Sequence, residues 1–398
     1  VLKGPNLHVT HLWCDYYINA DGNPHEYLKR TGNRSTIICS KFLTDTLQFS
    51  PDIHAFSIKK INGPNGTRQS LLSRIWNKLY RPLFWMNYRR WVHRLVKADR
   101  PDIFHLHFGY TAVRLLPMLK AEKIPFIITF YGVDCSSMLA QPYWVKQYQE
   151  VLKHASFIIV LSETVRERFR AIGCPDNKIV VWQIPIRLNN YQYYHTPRVA
   201  HIRFITAARF VEKKGFPFLI AAFKKVLAEI PGSTLTIIGY GAGKDKILAE
   251  IERQELNESI TLIDTNLRTD FPEFYAAQLK EHDIFALPST TSKNGDDEGG
   301  PALTLVAAQA SGKPVVCTPF VGSEISVTDG KTGLICLQDD AGSLAEKMIC
   351  LANDPALAQM LGQSASTLVH SLFSEENQMD KLLEIYHKAI NGGNYTTS

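Results

Sequence analysis

Short apolar runs that end in polar residues recur along the chain, separated by segments of helical period. This is the pattern of parallel β-loop-α units. Residues 7–13 and 35–40 read as the first two strands, with a turn-rich 19–24 and a short helical segment at 25–31 between them. Three strand-and-loop units follow, at 102–107, 125–130 and 156–161, each apolar and each closing on polar residues. In a parallel sheet the carboxyl ends of the strands line the ligand crevice, so His107, Tyr131, Asp134, Ser162 and Glu163 are expected to converge on one cleft. A helix at 164–172 stops at Gly173, and a strand at 178–182 comes next. Residues 185–197 are irregular, polar and bounded by prolines, which reads as a linker. A second series then repeats the first: strands 204–208, 234–238, 260–263, 284–287 and 314–317, with helices at 218–230 and 272–278. Helices near 341–351, 355–361 and 375–390 finish the pattern, and the tail after 390 reads as disordered.

The stretch 296–314 concentrates the candidate chemistry. Asp296, Asp297 and Glu298 precede a Gly299-Gly300 turn, Pro301 suits a first helical turn, and 302–311 is short, apolar and helix-forming until Gly312 stops it. The free N–H groups and positive dipole end of such a helix suit a phosphate. Gly239-Tyr240-Gly241-Ala242-Gly243 is rich enough in glycine to let backbone approach a ligand. The loop after the first strand contains only Gly22 and lacks the GxGxxG spacing, which disfavours a nicotinamide dehydrogenase.

Length and charge refine this picture. At 398 residues the chain calls for two domains, and 45% apolar with 21% charged residues is ordinary globular usage. Seven scattered cysteines without CxxC spacing read as thiols of a reducing compartment, with no zinc site. No signal-peptide pattern or membrane-spanning run is present, so a cytoplasmic protein is expected. Residues 1–199 carry 27 Lys+Arg against 13 Asp+Glu, whereas residues 200–398 carry 17 against 25. The basic half suits anionic partners. Within it, 74–100 interleaves Trp76, Tyr80, Phe84, Trp85, Tyr88 and Trp91 with eight Arg and Lys side chains and one acid, Asp99. Two readings stay open: a segment peripheral on the inner face of an anionic membrane, or a helix pair broken at Pro82 with its rings packed inward.

The motifs resemble those of the retaining glycosyltransferases of the GT-B fold, family 4. The 208–215 segment, ARFVEKKG, looks like that family's GRLxxxKG. IIGYG at 237–241 looks like its LxGxG, LPS at 287–289 like its LPS strand end, and EGGP at 298–301 like its EGxP. In the first half HLHFG at 105–109 and TFYGVD at 129–134 resemble HxHFG and TFHGxD. The resemblance implies two doubly wound, Rossmann-like α/β domains facing each other across a cleft: an acceptor domain at 1–190, a nucleotide-sugar domain at 198–372, and a helix at 373–392 packing back on the first domain. It implies a UDP- or GDP-linked sugar as donor, a glycan or lipid-linked acceptor, no nucleic acid, and no metal or other cofactor. Arg209 and Lys214 would bind the diphosphate, Glu298 would accept hydrogen bonds from sugar hydroxyls, and His107 and Tyr131 would stand near the reacting centre. Gly239, Gly241, Asn266, Gly300, Pro301, Ala302, Leu303 and position 307 would line the nucleotide.

Two departures stand out. The family's second glutamate falls on Ala307 when anchored on Gly312 and Pro314, and on Val306 when counted from Glu298, so it is missing either way. Tyr131 stands where many relatives carry a histidine, and tyrosine is a poor base near neutral pH. A catalytically impaired scaffold that binds nucleotide or membrane is therefore one alternative. A nucleotide-sugar epimerase or hydrolase on the same fold is another.

Overall fold

The computed structural model describes residues 7–13, 27–29, 31–39, 53–55, 71–194, 201–266, 268, 270–393, without the side chains of 53, 55 and 71–82. The 19–24 turn, the end of the 185–197 linker and the last five residues of the tail lie outside the described residues. The strands are β1 (His8–Trp13), β2 (Arg34–Cys39), β3 (Ile53–Ala55), β4 (Ile103–His107), β5 (Phe126–Thr129), β6 (Phe157–Val160) and β7 (Ile179–Val181), then β8 (Arg203–Ala207), β9 (Thr234–Gly239), β10 (Ile260–Asp264), β11 (Ile284–Leu287), β12 (Val315–Cys317) and β13 (Leu334–Ile335). They form two parallel sheets, ordered β3-β2-β1-β4-β5-β6-β7 and β10-β9-β8-β11-β12-β13. Each order runs outward from its first strand and then reverses, so each sheet has a switch point, between β1 and β4 and between β8 and β11.

Alternation along the strands sends residues to two different cores. In β4, Phe104 and Leu106 join the cluster under the helices Leu71–Ala98, Gly109–Glu122 and Pro142–His154, while Ile103 points to the opposite face. That opposite face is covered by the last helix, Glu375–Asn391, through Met379, Leu382, Ile385 and Tyr386. Trp182 Nε1 donates to the Gln378 carbonyl at 2.8 Å, which fixes the helix against the end of β7. The two chain crossings between the sheets also run together, with the Ile186 N–H donating to the Phe373 carbonyl at 3.0 Å.

The structure extends the periodicity reading in several places. Helices Gly109–Glu122, Pro142–His154 and Lys244–Arg253 were not predicted, nor were the short strands β3 and β13. The first of these helices opens on glycine and carries Pro117 inside; the second starts at Pro142 and buries Tyr148, Val151 and Leu152. Pro82 does not break the basic aromatic segment, because Leu71–Ala98 is one helix of 28 residues. Losing a single backbone bond is tolerated in so long a helix packed along a core. Its described rings settle inward: Tyr88 is fully buried, and Phe84, Trp85 and Trp91 pack against the first core. Arg90, Arg94 and Lys97, at i, i+4 and i+7, form the exposed face. Among the described residues no helix is long and apolar enough to cross a membrane.

Tyr386 joins the last helix to the first sheet, being fully buried with its hydroxyl 2.7 Å from His105 Nδ1. Tyr386→Ala is expected to destabilise the protein by about 3–5 kcal/mol, and Tyr386→Phe by only about 1–3 kcal/mol for the orphaned imidazole nitrogen. Urea unfolding of both variants checks this ordering; equal midpoints would detach the helix from the stability of the first domain.

Candidate active site

The second-domain wall starts with the loops after β8 and β9. The Ala208 N–H bonds to the Ile238 carbonyl and the Phe210 N–H to the Tyr240 carbonyl at 2.7 Å, so the two loops lie against each other. A Cβ on Gly239 would meet the Ala208 carbonyl oxygen at 1.9 Å, and one on Gly241 the Phe210 oxygen at 2.9 Å. These glycines therefore make room for neighbouring backbone, where the sequence reading had them make room for a ligand. Their effect is to hold Arg209 outward. Its side chain is exposed and has no carboxylate partner among the described residues.

Lys214 sits differently. It is buried, and its Nζ donates to Glu298 Oε1 at 2.5 Å, with Ser289 Oγ donating to the same oxygen at 3.0 Å. Burial opposes ionisation of Glu298, but Lys214, Lys213 and these hydrogen bonds outweigh it and hold the carboxyl below its ordinary range. Burial also lowers the Lys214 ammonium, against the pull of Glu298. Here the lysine neutralises the glutamate, and Arg209 is the cation left facing outward.

The neighbouring acids are matched as well. Lys213 is buried; its Nζ donates to Asp296 Oδ1 at 3.1 Å and to the Asp297 carbonyl at 2.6 Å. Asp296 Oδ1 also accepts from Ser136 Oγ at 3.0 Å, and Asp297 accepts two bonds from Arg168, at 3.1 and 2.5 Å. Ser136 and Arg168 belong to the first domain, so this turn bridges the two. Lys213, Ser136 and Arg168 escaped the sequence reading; a doubled lysine opposite a doubled aspartate was the available signal.

The Gly299-Gly300 turn lies flat against the first domain. A Cβ on Gly299 would meet the Tyr131 carbonyl oxygen at 2.2 Å, and one on Gly300 the Leu161 Cβ at 2.4 Å. After it, Pro301 and Ala302 lead into the helix Leu303–Ala310, pinned by Thr304 Oγ1 donating to the Ala207 carbonyl at 2.5 Å. Val306 and Ala307 are buried and belong to the apolar cluster that includes Ile205, Ile238 and Tyr275. Asn266 is exposed in the loop after β10, with its N–H on Asp264 Oδ1 at 3.0 Å, next to Thr265, whose N–H donates to the Gly239 carbonyl at 2.8 Å.

On the first-domain wall, His107 and Tyr131 come together: the Tyr131 hydroxyl is 2.6 Å from His107 Nδ1. His107 Nε2 is 3.1 Å from His11 Nδ1, a residue that the sequence reading missed although it shares the β1 face with Val9 and Trp13. Burial pushes His107 well below its ordinary range, helped by His105 and His11. Asp134 is fully buried and accepts the backbone N–H groups of Gly109 at 2.8 Å and Tyr131 at 2.9 Å; burial raises its carboxyl to about 6. It thus fastens two strand-end loops together. Ser162 and Glu163 do not join the cleft. Ser162 caps its helix by accepting from the Val165 N–H at 3.3 Å, and Glu163 is exposed beside Arg166 at 3.5 Å.

Known proteins match this arrangement. The family described as Glycosyl transferases group 1 matches residues 197–367, and the Glycosyl transferase 4-like domain matches residues 62–183. The chain is 30% identical over 258 residues to WcaL of Salmonella typhimurium, a glycosyltransferase assigned to colanic acid biosynthesis, covering 62% of this chain and 60% of that protein. It is 27% identical over 302 residues to the amylovoran biosynthesis glycosyltransferase AmsK of Erwinia amylovora, covering 73% and 71%. Sucrose-phosphate synthase from Thermosynechococcus elongatus superposes with a TM-score of 0.76 at 16% identity, over 97% of this chain and 100% of that one. Anabaena Alr3699/HepE in complex with UDP and glucose gives 0.72 at 15%, over 96% and 100%. At those identities the solved structures establish the fold alone, and the family matches establish the rest: the chain belongs to the GT-B glycosyltransferases of family 4 type.

Proposed function

We propose that this protein transfers a hexose, with retention of anomeric configuration, from a UDP- or GDP-linked sugar to a glycan or lipid-linked acceptor in surface polysaccharide synthesis. The observation that carries the reading is the exposed Arg209 guanidinium beside a neutralised Lys214–Glu298 pair, next to the start of the Leu303–Ala310 helix. A nucleotide diphosphate leaves with charge building on its β-phosphate, and a fixed guanidinium with unpaired helix N–H groups stabilises that charge. Glu298 and Lys214 can exchange their mutual bond for sugar hydroxyls and phosphate oxygens, and no metal need take part. The names of WcaL and AmsK support the polysaccharide assignment, and the HepE complex supports a UDP-linked donor. A catalytically weak scaffold is the second reading, favoured by the apolar burial of Val306 and Ala307, where the motif this segment resembles has a glutamate.

Arg209→Ala is expected to weaken UDP binding by about 10- to 100-fold, the worth of one or two charge-assisted hydrogen bonds, and the loss should shrink as salt rises. Because the side chain is exposed, the melting temperature should hold. Calorimetry showing unaltered affinity for both UDP and GDP would refute the diphosphate assignment.

Ala307→Glu separates a site awaiting its carboxylate from a core rebuilt around alanine. The burial of Ala307 predicts the second: a loss of a few kcal/mol for an unpaired buried carboxylate, and no tighter UDP binding. A stable variant with at least about tenfold higher UDP affinity would reverse that expectation.

Peripheral membrane contact is proposed for the exposed Arg90–Arg94–Lys97 face, since the described rings are committed to the core. Sedimentation with vesicles containing anionic lipid should show binding that weakens with salt, and Arg90→Glu/Arg94→Glu should abolish it. Binding indifferent to lipid charge would assign this face to solvent.

A further inference from the structure

The face of the first sheet beneath the last helix is apolar at one end and polar at the other. Val9, Ile103 and Ile127 occupy its lower register, while His11, His105, His107 and Thr129 occupy the ends that approach the cleft. Both nitrogens of His105 are engaged, with Tyr386 and Thr129 hydroxyls at 2.7 Å each. Both nitrogens of His107 are engaged too, with Tyr131 at 2.6 Å and His11 at 3.1 Å. The potential ligand atoms of these three histidines lie within 4.8 Å of one another, as in a metal site, but a cation there would have to displace bonds of that set. A hydrogen-bonded chain is the simpler reading.

A neutral imidazole has one donor nitrogen and one acceptor nitrogen, so the bonds on the two sides of His107 cannot be oriented independently. In one arrangement the Tyr131 hydroxyl donates to Nδ1 and the Nε2–H donates to His11 Nδ1. In the other, His11 Nδ1–H donates to Nε2, the His107 Nδ1–H donates to the tyrosine oxygen, and the hydroxyl keeps its proton but turns it away from His107, toward the cleft or Thr129. The groups facing this ring are His11 and Trp13 on β1, His105 on β4 and Tyr131 after β5, with Tyr386 of the last helix behind His105. No carboxylate is hydrogen-bonded to it among the described residues. Burial therefore keeps His107 neutral, which leaves just these two arrangements.

We infer that His107 is a positioning residue whose tautomer, relayed from His11, decides whether Tyr131 offers the cleft a proton or a lone pair. Tyr131 is half-buried, and its own carbonyl lies under the Gly299-Gly300 turn, so it stands at the wall where the two domains meet. A sugar hydroxyl can be met by either arrangement, whereas a phosphate oxygen can be met only by the second. This inference rests on the proposed reading of the cleft for its consequence but not for its geometry.

The test uses the full chain labelled with ¹⁵N-histidine, His107 and His11 being assigned from His107→Asn and His11→Gln. His107 should remain neutral between about pH 5 and 8, and Tyr131→Phe should move the ring-nitrogen signals of both His107 and His11. If His11 stays put while His107 moves, or if His107 titrates as an exposed imidazole does, the relay is overturned. A second arm measures UDP release from UDP-glucose. Tyr131→Phe and His107→Leu should each lower turnover about tenfold or more, and the double variant no further. Multiplying losses in the double variant would show that the two residues act separately. Melting temperatures and UDP affinities within about twofold of the parent exclude misfolding as the cause. Absence of UDP-glucose turnover in the parent would count against that donor, while the spectra would still decide the relay.

Discussion

Three consecutive acids before a glycine turn are an unstable arrangement unless each meets a cation, and much of the cleft follows from how that demand is met. Lys213, Arg168 and Lys214 answer Asp296, Asp297 and Glu298 respectively. Removing one partner from a buried pair strands a charge at a cost of about 3–5 kcal/mol, so the loop has little freedom to sit elsewhere. Arg168 comes from the first domain and its two bonds reach a second-domain carboxylate. Charge neutralisation and domain apposition are thus one interaction. The steric complement is the Gly299-Gly300 turn, where any side chain would strike the Tyr131 carbonyl or Leu161 and force the walls apart.

The first-domain wall is governed by a different constraint. Strand alternation places His11, His105 and His107 on a face that the last helix seals from water, and buried polar groups must be hydrogen-bonded. Tyr386, Thr129 and Tyr131 supply the partners for His105 and His107. The last helix therefore does more than cover apolar surface. Through Tyr386 it touches the polar network two hydrogen bonds from Thr129, at the end of the strand that carries Tyr131.

Much of this was legible in the sequence because strand ends carry their own signals. The apolar runs at 102–107, 125–130 and 284–287 located three of the loops that line or support the cleft. What the sequence hid was partnership. Lys214 and Glu298 each read as a ligand for substrate, yet each is the other's counter-ion in the structure, a relation set by a fold that joins positions 84 apart in the chain. Ser162 read as a cleft residue because it ends an apolar run, but Ser is also a strong N-cap, and that local use won. Gly239 and Gly241 read as openings for a ligand, but the competing neighbour was the 208–210 backbone, invisible without the β8–β9 pairing. The two-residue strand β13 is too short for any periodicity to reveal.

The charge asymmetry between the halves also takes on a local meaning. An acidic second half is a poor host for an anionic diphosphate unless its acids are silenced near the site. The Asp296–Glu298 turn carries them to the edge of the cleft and there pairs them, two with lysines of the same domain and one with an arginine of the other. Lys244 answers Asp264 at 2.8 Å beside the loops after β9 and β10. With those fields cancelled at short range, the exposed guanidinium of Arg209 and the start of the Leu303–Ala310 helix are left to set the local potential. On the proposed reading a diphosphate would be drawn by what the neighbouring ion pairs leave uncancelled, so a change at Lys213 or Arg168, which touch no proposed ligand, would alter its attraction by exposing a carboxylate.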